Sequence, residues 1–152
     1  MEELRKTLPK LIKKDEIDVI TDINLKTLDI IKSKGIKLAI LTSRDFMEVK
    51  HLQEKKHSLS LRIDAFYHKD NSDYLKPNPK VFDKILKKFT VLPSEAVCVG
   101  DSLGDALSAK GAKLHFIALL ESKLRTKSYF KDVAVDYFAL KFKDILDYVM
   151  KN

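Results

Sequence analysis

Apolar positions near the start of the chain recur every three to four residues. Leu4, Leu8, Leu11 and Ile12 share one face, predicting an amphipathic helix over Glu2 to Lys14. Asp15 to Asp22 reads as irregular or briefly extended. Leu25, Leu28 and Ile31 predict a second helix to Lys34, with Asn24 as N-cap and Gly35 as its stop. The run Ile36 to Leu41 ends at Thr42-Ser43, as a buried parallel strand does. Further along, the pattern predicts a helix over Phe46 to Lys56 and a strand over Ala65 to Tyr67. Lys76-Pro77-Asn78-Pro79 is a loop, and Pro79 opens a helix to Phe89. Ala96 to Val99 is a strand that breaks at Gly100-Asp101-Ser102, and Leu103 to Lys110 a helix that stops at Gly111. His115 to Leu119 and Val135 to Phe138 are strands, and Asp144 to Met150 closes the chain as a helix. Helices alternating with short buried strands predict an α/β fold, a parallel sheet in three layers. No interdomain linker is visible from Gly35 onward. The first helix is the odd element, because no strand precedes it.

Composition narrows the picture. The 152 residues are 45% hydrophobic and 34% charged, enough apolar content for one domain with a core. No apolar run could span a bilayer, and no secretory leader pattern opens the chain. The single Cys98 cannot form an internal disulfide, which fits a reducing, cytoplasmic setting. Within its strand it reads as a small buried hydrophobe. Lys and Arg total 29 against 22 Asp and Glu, a net charge of +7. The pairs Lys13-Lys14, Lys55-Lys56 and Lys87-Lys88 are scattered and lack interleaved aromatics. They therefore predict a solvated surface rather than a nucleic-acid or membrane partner. His51, His57, His68 and His115 lack metal-type spacing.

In open α/β sheets ligands bind beyond the carboxyl ends of the strands. The chain places Thr42-Ser43, Lys76 and the stretch Gly100 to Asp105 at such ends. Asp101 and Asp105, four residues apart at a helix entry, can offer oxygen to a hard cation. Thr42 can hydrogen-bond phosphate oxygens, and Lys76 can neutralise their charge. Each signal is weak alone. Their order and common edge predict a phosphoryl-transfer site that lacks its nucleophile.

Ile36 to Arg44 (IKLAILTSR), Lys76 to Phe82 (KPNPKVF) and Val97 to Asp105 (VCVGDSLGD) resemble motifs II, III and IV of the haloacid dehalogenase (HAD) superfamily. The branch they resemble is the phosphoglycolate phosphatase-like one, subfamily IA, with an inserted helical cap. The resemblance covers roughly Leu25 to Tyr148. It implies a Rossmann-like core and Mg²⁺-dependent hydrolysis of a phosphate monoester, a small phosphorylated metabolite, through an aspartyl-phosphate. Thr42 and Ser43 then correspond to the phosphate-binding motif II, Lys76 to the motif III lysine that also binds phosphate, and Asp101 to the direct Mg²⁺ ligand. Asp105 supports the metal or holds Lys76, and Ser102 has a lesser part.

The family's motif I, DxDx[TV] at a strand end, carries the nucleophile and is not found. Asp22-Ile23-Asn24 comes closest, but Asp22 lies only twenty residues before Thr42, and the second helix fills that gap. The expectation is therefore a cap remnant and connector over residues 1–24 and a HAD-like core over 25–152 without its first, central strand. A gap in the sheet follows, filled by a missing segment, by a partner or, weakly, by Asp15 to Ile23. A capped member should need on the order of 200 residues or more. The alternative function is a non-catalytic HAD-like protein that binds phosphate, metal or a partner.

Overall fold

The computed structural model of the chain describes residues 20–152. The expected helix over Glu2 to Lys14 and the stretch Asp15 to Val19 lie outside the described residues.

Helix α1 spans Asp22–Ser33. Its N-cap is Thr21, whose hydroxyl accepts the Asn24 N–H at 3.3 Å. The expected cap Asn24 is thus already inside the first turn, because a hydroxyl three residues earlier satisfies the orphan donor. The expected junction after residue 24 falls within this helix. Gly35, at φ 77°, makes the left-handed exit that a side chain would disfavour. Strand β1 (Ala39–Leu41) pairs in parallel with β2 (Ala65–Tyr67). It is shorter than expected at its start, since its partner offers only three residues. Helix α2 covers only Phe46–Val49, and a 3₁₀ turn over Lys50–Gln53 replaces the longer helix expected to Lys56. The Arg44 guanidinium donates to the Glu48 carbonyl at 3.0 Å, occupying an acceptor that a longer helix would use.

A 3₁₀ turn over Pro79–Phe82 continues into α3 (Asp83–Phe89). Strand β3 (Val97–Gly100), helix α4 (Leu103–Gly111) and strand β4 (His115–Leu119) follow the expected order. Strand β5 is Tyr137–Ala139, two residues later than expected at its start. Asp136 instead turns its carboxylate onto the Phe116 N–H (2.7 Å) and Lys110 Nζ (2.5 Å). Helix α5 is Ile145–Val149, after a 3₁₀ turn over Phe142–Asp144.

All pairings are parallel, in the order β1-β2 in one sheet and β3-β4-β5 in another. Alternation along the strands feeds two apolar clusters on opposite faces. Cys98, Phe116, Ala118 and Phe138 point toward α3 and α4, where Phe82, Ala106 and Ala109 are buried. Val99, Ile117, Leu119 and Ala139 point toward α1 and α5, where Ile31 and Ile145 are buried. A third cluster joins Leu28, Val49, Leu52 and Leu59 under β1 and β2. Helices cover both faces, giving the three layers of a Rossmann-like fold. Strands β1 and β3 do not pair with each other, and a cavity of about 760 Å³ lies between them.

Two carboxylates pin helix ends to strand starts. Asp64 accepts from Lys32 Nζ at 2.6 Å and from the Leu38 N–H at 2.8 Å, and Asp136 does the same work for Lys110 and Phe116. Burial pushes both carboxyls up, but the lysine and backbone donors together hold each below the ordinary 3.8. A folded-state pKa below the unfolded one contributes stability at neutral pH, which is lost as pH falls through the window beneath 3.8. Asp64→Asn should cost about 1–2 kcal/mol at neutral pH, discounted for partial exposure. In urea unfolding followed against pH, its midpoint should then decline less on acidification than that of the unaltered chain. Parallel curves would refute the role given to Asp64.

Candidate active site

The loop that carries Lys76 is fixed on both sides. The Asn78 N–H donates to the Leu75 carbonyl at 3.0 Å, and Asn78 Oδ1 accepts the Lys80 N–H at 2.9 Å. Beyond it, Val81 and Phe82 are buried in the core and Pro79 lies against Gly111. A Cβ at Gly111 would lie 3.0 Å from the Pro79 ring, a tight contact, so the lack of a side chain at residue 111 eases the docking of this turn on α4. Lys76 therefore reaches the carboxyl edge of β3 from a rigid base.

Its partner there is Asp105, and Lys76 Nζ lies 2.5 Å from Asp105 Oδ1. The other carboxylate oxygen accepts the N–H groups of Asp101 (3.1 Å) and Ser102 (3.2 Å). Ser102 Oγ in turn accepts the Asp105 N–H at 3.1 Å, closing a capping box at the start of α4. The sequence S-L-G-D thus builds a helix start whose third residue points its carboxylate back at the strand end. Gly100 permits this, because any Cβ there would overlap the Asp105 carboxylate. Sequence reasoning treated Gly100 as a simple strand break. The signal it held was a glycine that both ends a strand and leads an Asp-Ser cap.

Asp101 is exposed, and its side chain meets no other described residue in a hydrogen bond or ion pair. Lys76, Asp101 and Asp105 line one wall of the cavity between β1 and β3, together with Leu41, the last residue of β1. Thr42 follows directly. Its N–H is spent on the Tyr67 carbonyl (2.9 Å) and its Oγ1 accepts the Arg44 N–H (3.2 Å), which leaves the hydroxyl proton as the group it can offer. Ser43 is exposed beside it. Leu41 lines the same cavity as Lys76, Asp101 and Asp105, whereas the next two residues, Thr42 and Ser43, do not line it.

Asp22, the nearest sequence match to a motif I aspartate, sits in the first turn of α1 and not at a strand end. Cys98 faces the core, and its thiol is pushed up to about 12, chiefly by removal from water and further by the Asp105 charge, with Lys76 opposing. A thiol that stays protonated agrees with its reading as a hydrophobe. His115 stands at the other end of the sheet, with Nδ1 2.5 Å from the Tyr148 hydroxyl and Nε2 3.1 Å from the Ser94 carbonyl. Among the described residues no three His, Cys, Asp or Glu side chains cluster as a ready metal cage. Asp105 already accepts hydrogen bonds at both oxygens, whereas the Asp101 carboxylate meets no described partner. That donor set suits Mg²⁺, which keeps several waters and takes one or two carboxylates plus substrate oxygens.

The family model for haloacid dehalogenase-like hydrolases matches residues 1–119. The chain belongs to this family. A glyceraldehyde 3-phosphate phosphatase from Pyrococcus furiosus is 32% identical over 130 residues, which are 82% of this chain and 48% of that protein. A pyrophosphatase PpaX from Halalkalibacterium halodurans is 27% identical over 124 residues, 82% of this chain and 57% of that protein. The chain thus spans about half the length of the curated relatives it matches. A HAD hydrolase of family IA, variant 3, from Entamoeba histolytica superposes with a TM-score of 0.79 at 21% identity, covering 99% of this chain and 70% of that one. That likeness carries the HAD fold.

Gly100→Ala should force the Asp105 carboxylate away from β3, at a stability cost of about 1–3 kcal/mol. The Asp101 and Ser102 amides would lose their acceptor. Thermal unfolding and amide exchange at those two positions report it. Unchanged exchange at both would show that the close approach of Asp105 to residue 100 does not matter.

Proposed function

We propose that the chain is the core of a HAD-type phosphatase acting on a small phosphorylated metabolite. The observation that carries this reading is the Lys76–Asp105 pair, locked to the N–H groups of Asp101 and Ser102 beside an Asp101 carboxylate that no described residue binds. In this reading Thr42 donates its hydroxyl to a phosphoryl oxygen and Ser43 adds a backbone contact. Lys76 places its ammonium where charge builds on the phosphoryl group. Asp105 holds Lys76 in that place. Asp101 would hold Mg²⁺, which supplies charge neutralisation for substrate oxygens. Residues 1–24 serve as a cap remnant and connector, and 25–152 as the core, in a cytoplasmic protein. Among the described residues no helix is long and apolar enough to cross a membrane. The names of the Pyrococcus and Halalkalibacterium relatives, a phosphatase and a pyrophosphatase, support the substrate class.

The nucleophilic carboxylate is not among the described residues, and in this reading it arrives on a segment that completes the sheet. One observation favours a second, non-catalytic reading for the chain as given. Asp22, the described aspartate with the best claim to attack, is bound into a helix.

Mg²⁺-dependent hydrolysis of an aryl phosphate should be measured for this chain and for a version extended upstream, alongside Mg²⁺-linked thermal stabilisation. Stabilisation in both, with turnover only in the extended version, is the expected result. Asp101→Ala should abolish the Mg²⁺ response, and an undiminished response would overturn the metal assignment. Metal binding without turnover in either version would favour the non-catalytic reading.

A further inference from the structure

The turn that follows β2 holds the Thr42 loop at three points. The Thr42 N–H donates to the Tyr67 carbonyl and the Lys69 N–H to the Arg44 carbonyl, both at 2.9 Å. The Phe46 N–H, at the first position of α2, donates to Asp70 Oδ2 at 2.7 Å. The reciprocal cap between Asp45 and Glu48 satisfies other donors of that helix start and leaves the Phe46 N–H to Asp70. Thr42 Oγ1 accepts the Arg44 N–H at 3.2 Å, so the placement of Arg44 bears on where the Thr42 hydroxyl points.

Asp70 is in turn placed by His68, the N-cap of a 3₁₀ turn over Lys69–Asn71. His68 is buried, and its ring packs 5.5 Å from the Phe46 ring. Its Nδ1 accepts the Asp70 N–H at 3.2 Å. The His68 N–H donates to Asn71 Oδ1 at 2.7 Å, and Asn71 Nδ2 donates to the Phe66 carbonyl at 3.1 Å. A ring nitrogen that accepts an N–H is unprotonated, so the neutral imidazole carries its proton on Nε2. Asp70 Oδ2, the atom that takes the Phe46 N–H, lies 3.8 Å from the same Nδ1. A proton on Nδ1 turns it from acceptor into charged donor. The Asp70 N–H then loses its acceptor, and the ring competes with Phe46 for the Asp70 carboxylate. The charged groups on the surrounding elements have other partners. Arg44 donates to the Glu48 carbonyl, and Asp45 and Glu48 cap α2. On α3, Lys84 pairs with Asp73 at 3.2 Å and donates to the Asn71 carbonyl at 3.1 Å. Lys69 is exposed.

We infer that His68 and Asp70 are positioning residues for the Thr42 loop, and that a proton on His68 Nδ1 loosens this loop by drawing the Asp70 carboxylate off the Phe46 N–H. The proton comes from water, and no covalent bond of the heavy atoms changes. The bonds described are those of the neutral ring. They are present at the alkaline end of the histidine range and are lost as pH falls through it, from about pH 8 to about pH 5. The effect on anion binding rests on the reading of Thr42 as a phosphate donor, but the clamp itself does not, so either can fail alone.

The probe is sulfate, a phosphate mimic whose own charge stays constant over this range, added to the full chain at several pH values. NMR follows the His68 ring, the Phe46 and Asp70 amides, and the sulfate-induced shifts of the Thr42 and Ser43 amides. The Phe46 and Asp70 amides should titrate in step with the ring. Sulfate affinity should fall by about three- to tenfold as the ring gains its proton, the worth of one lost hydrogen bond. His68→Asn supplies a cap oxygen for the Asp70 N–H that takes up no proton in this range. It should hold both amides constant and remove that fall, which a titration elsewhere in the site would not. Asp70→Asn keeps an oxygen for the Phe46 N–H but offers the ring no charge, and it should shrink the fall as well. Thermal unfolding checks that both variants are folded. Amides that ignore the titration of the ring overturn the inference, and so does a fall in affinity that persists in full in both variants. Amides that follow the ring while sulfate binds at no pH support the clamp and overturn the phosphate role of Thr42.

Discussion

The Asp105 carboxylate is the contact on which the rest of the site depends. It joins the Lys76 loop to the end of β3 and the start of α4, which neighbour each other but lie far from that loop in sequence. The pair is mostly removed from water, with side-chain exposures of 19% and 11%. Breaking such a pair on one side leaves a charge without compensation, at a cost of about 3–5 kcal/mol. The same carboxylate oxygen that satisfies two backbone donors excludes any side chain at position 100. Backbone, cap and ion pair thus constrain one another, and Lys76 has little freedom to leave the strand end. Asp101 has no side-chain partner among the described residues, because Asp105 has taken over the local hydrogen bonding.

The sheet shows the opposite situation. Strands β1 and β3 each have one satisfied edge, and the other edges face each other across the cavity. The helices that would cover a central strand are in place, with Ile31 and Ile145 on one side and Phe82 on the other. The apolar clusters tie the halves together, since Ile31 of α1 packs with Ile117, Ala139 and Ile145, and Phe142 packs against the cluster under β1 and β2. The fold can therefore keep its layers while the space between β1 and β3 stays unfilled by any described strand.

Much of this was legible in the sequence because it is local. Continuous apolar runs ending in polar turns marked β1, β3 and β4, and the double proline marked the Lys76 loop. Ser102 and Asp105 stand three apart, which is the spacing of a capping box. What was hidden depends on distant partners. The early end of α2 follows from Arg44 reaching the Glu48 carbonyl, and the late start of β5 from Asp136 turning to Lys110 and Phe116. The choice of Thr21 over Asn24 as cap was a contest between two good capping residues, which periodicity does not settle. The partner of Lys76 was one of two readings for Asp105, and only the fold brings these residues, 29 positions apart, within 2.5 Å.

These two halves of the picture have a common consequence. The cluster of Lys76, Asp101, Ser102 and Asp105 is satisfied by groups from the loop, β3 and α4 alone, with no contribution from the space between the sheets. Its geometry is therefore set before anything fills that space. In the function proposed above, phosphate and metal recognition would rest on this cluster. The cluster and the sheets rest on different hydrogen bonds, those of a side-chain network in one case and those of two parallel ladders in the other.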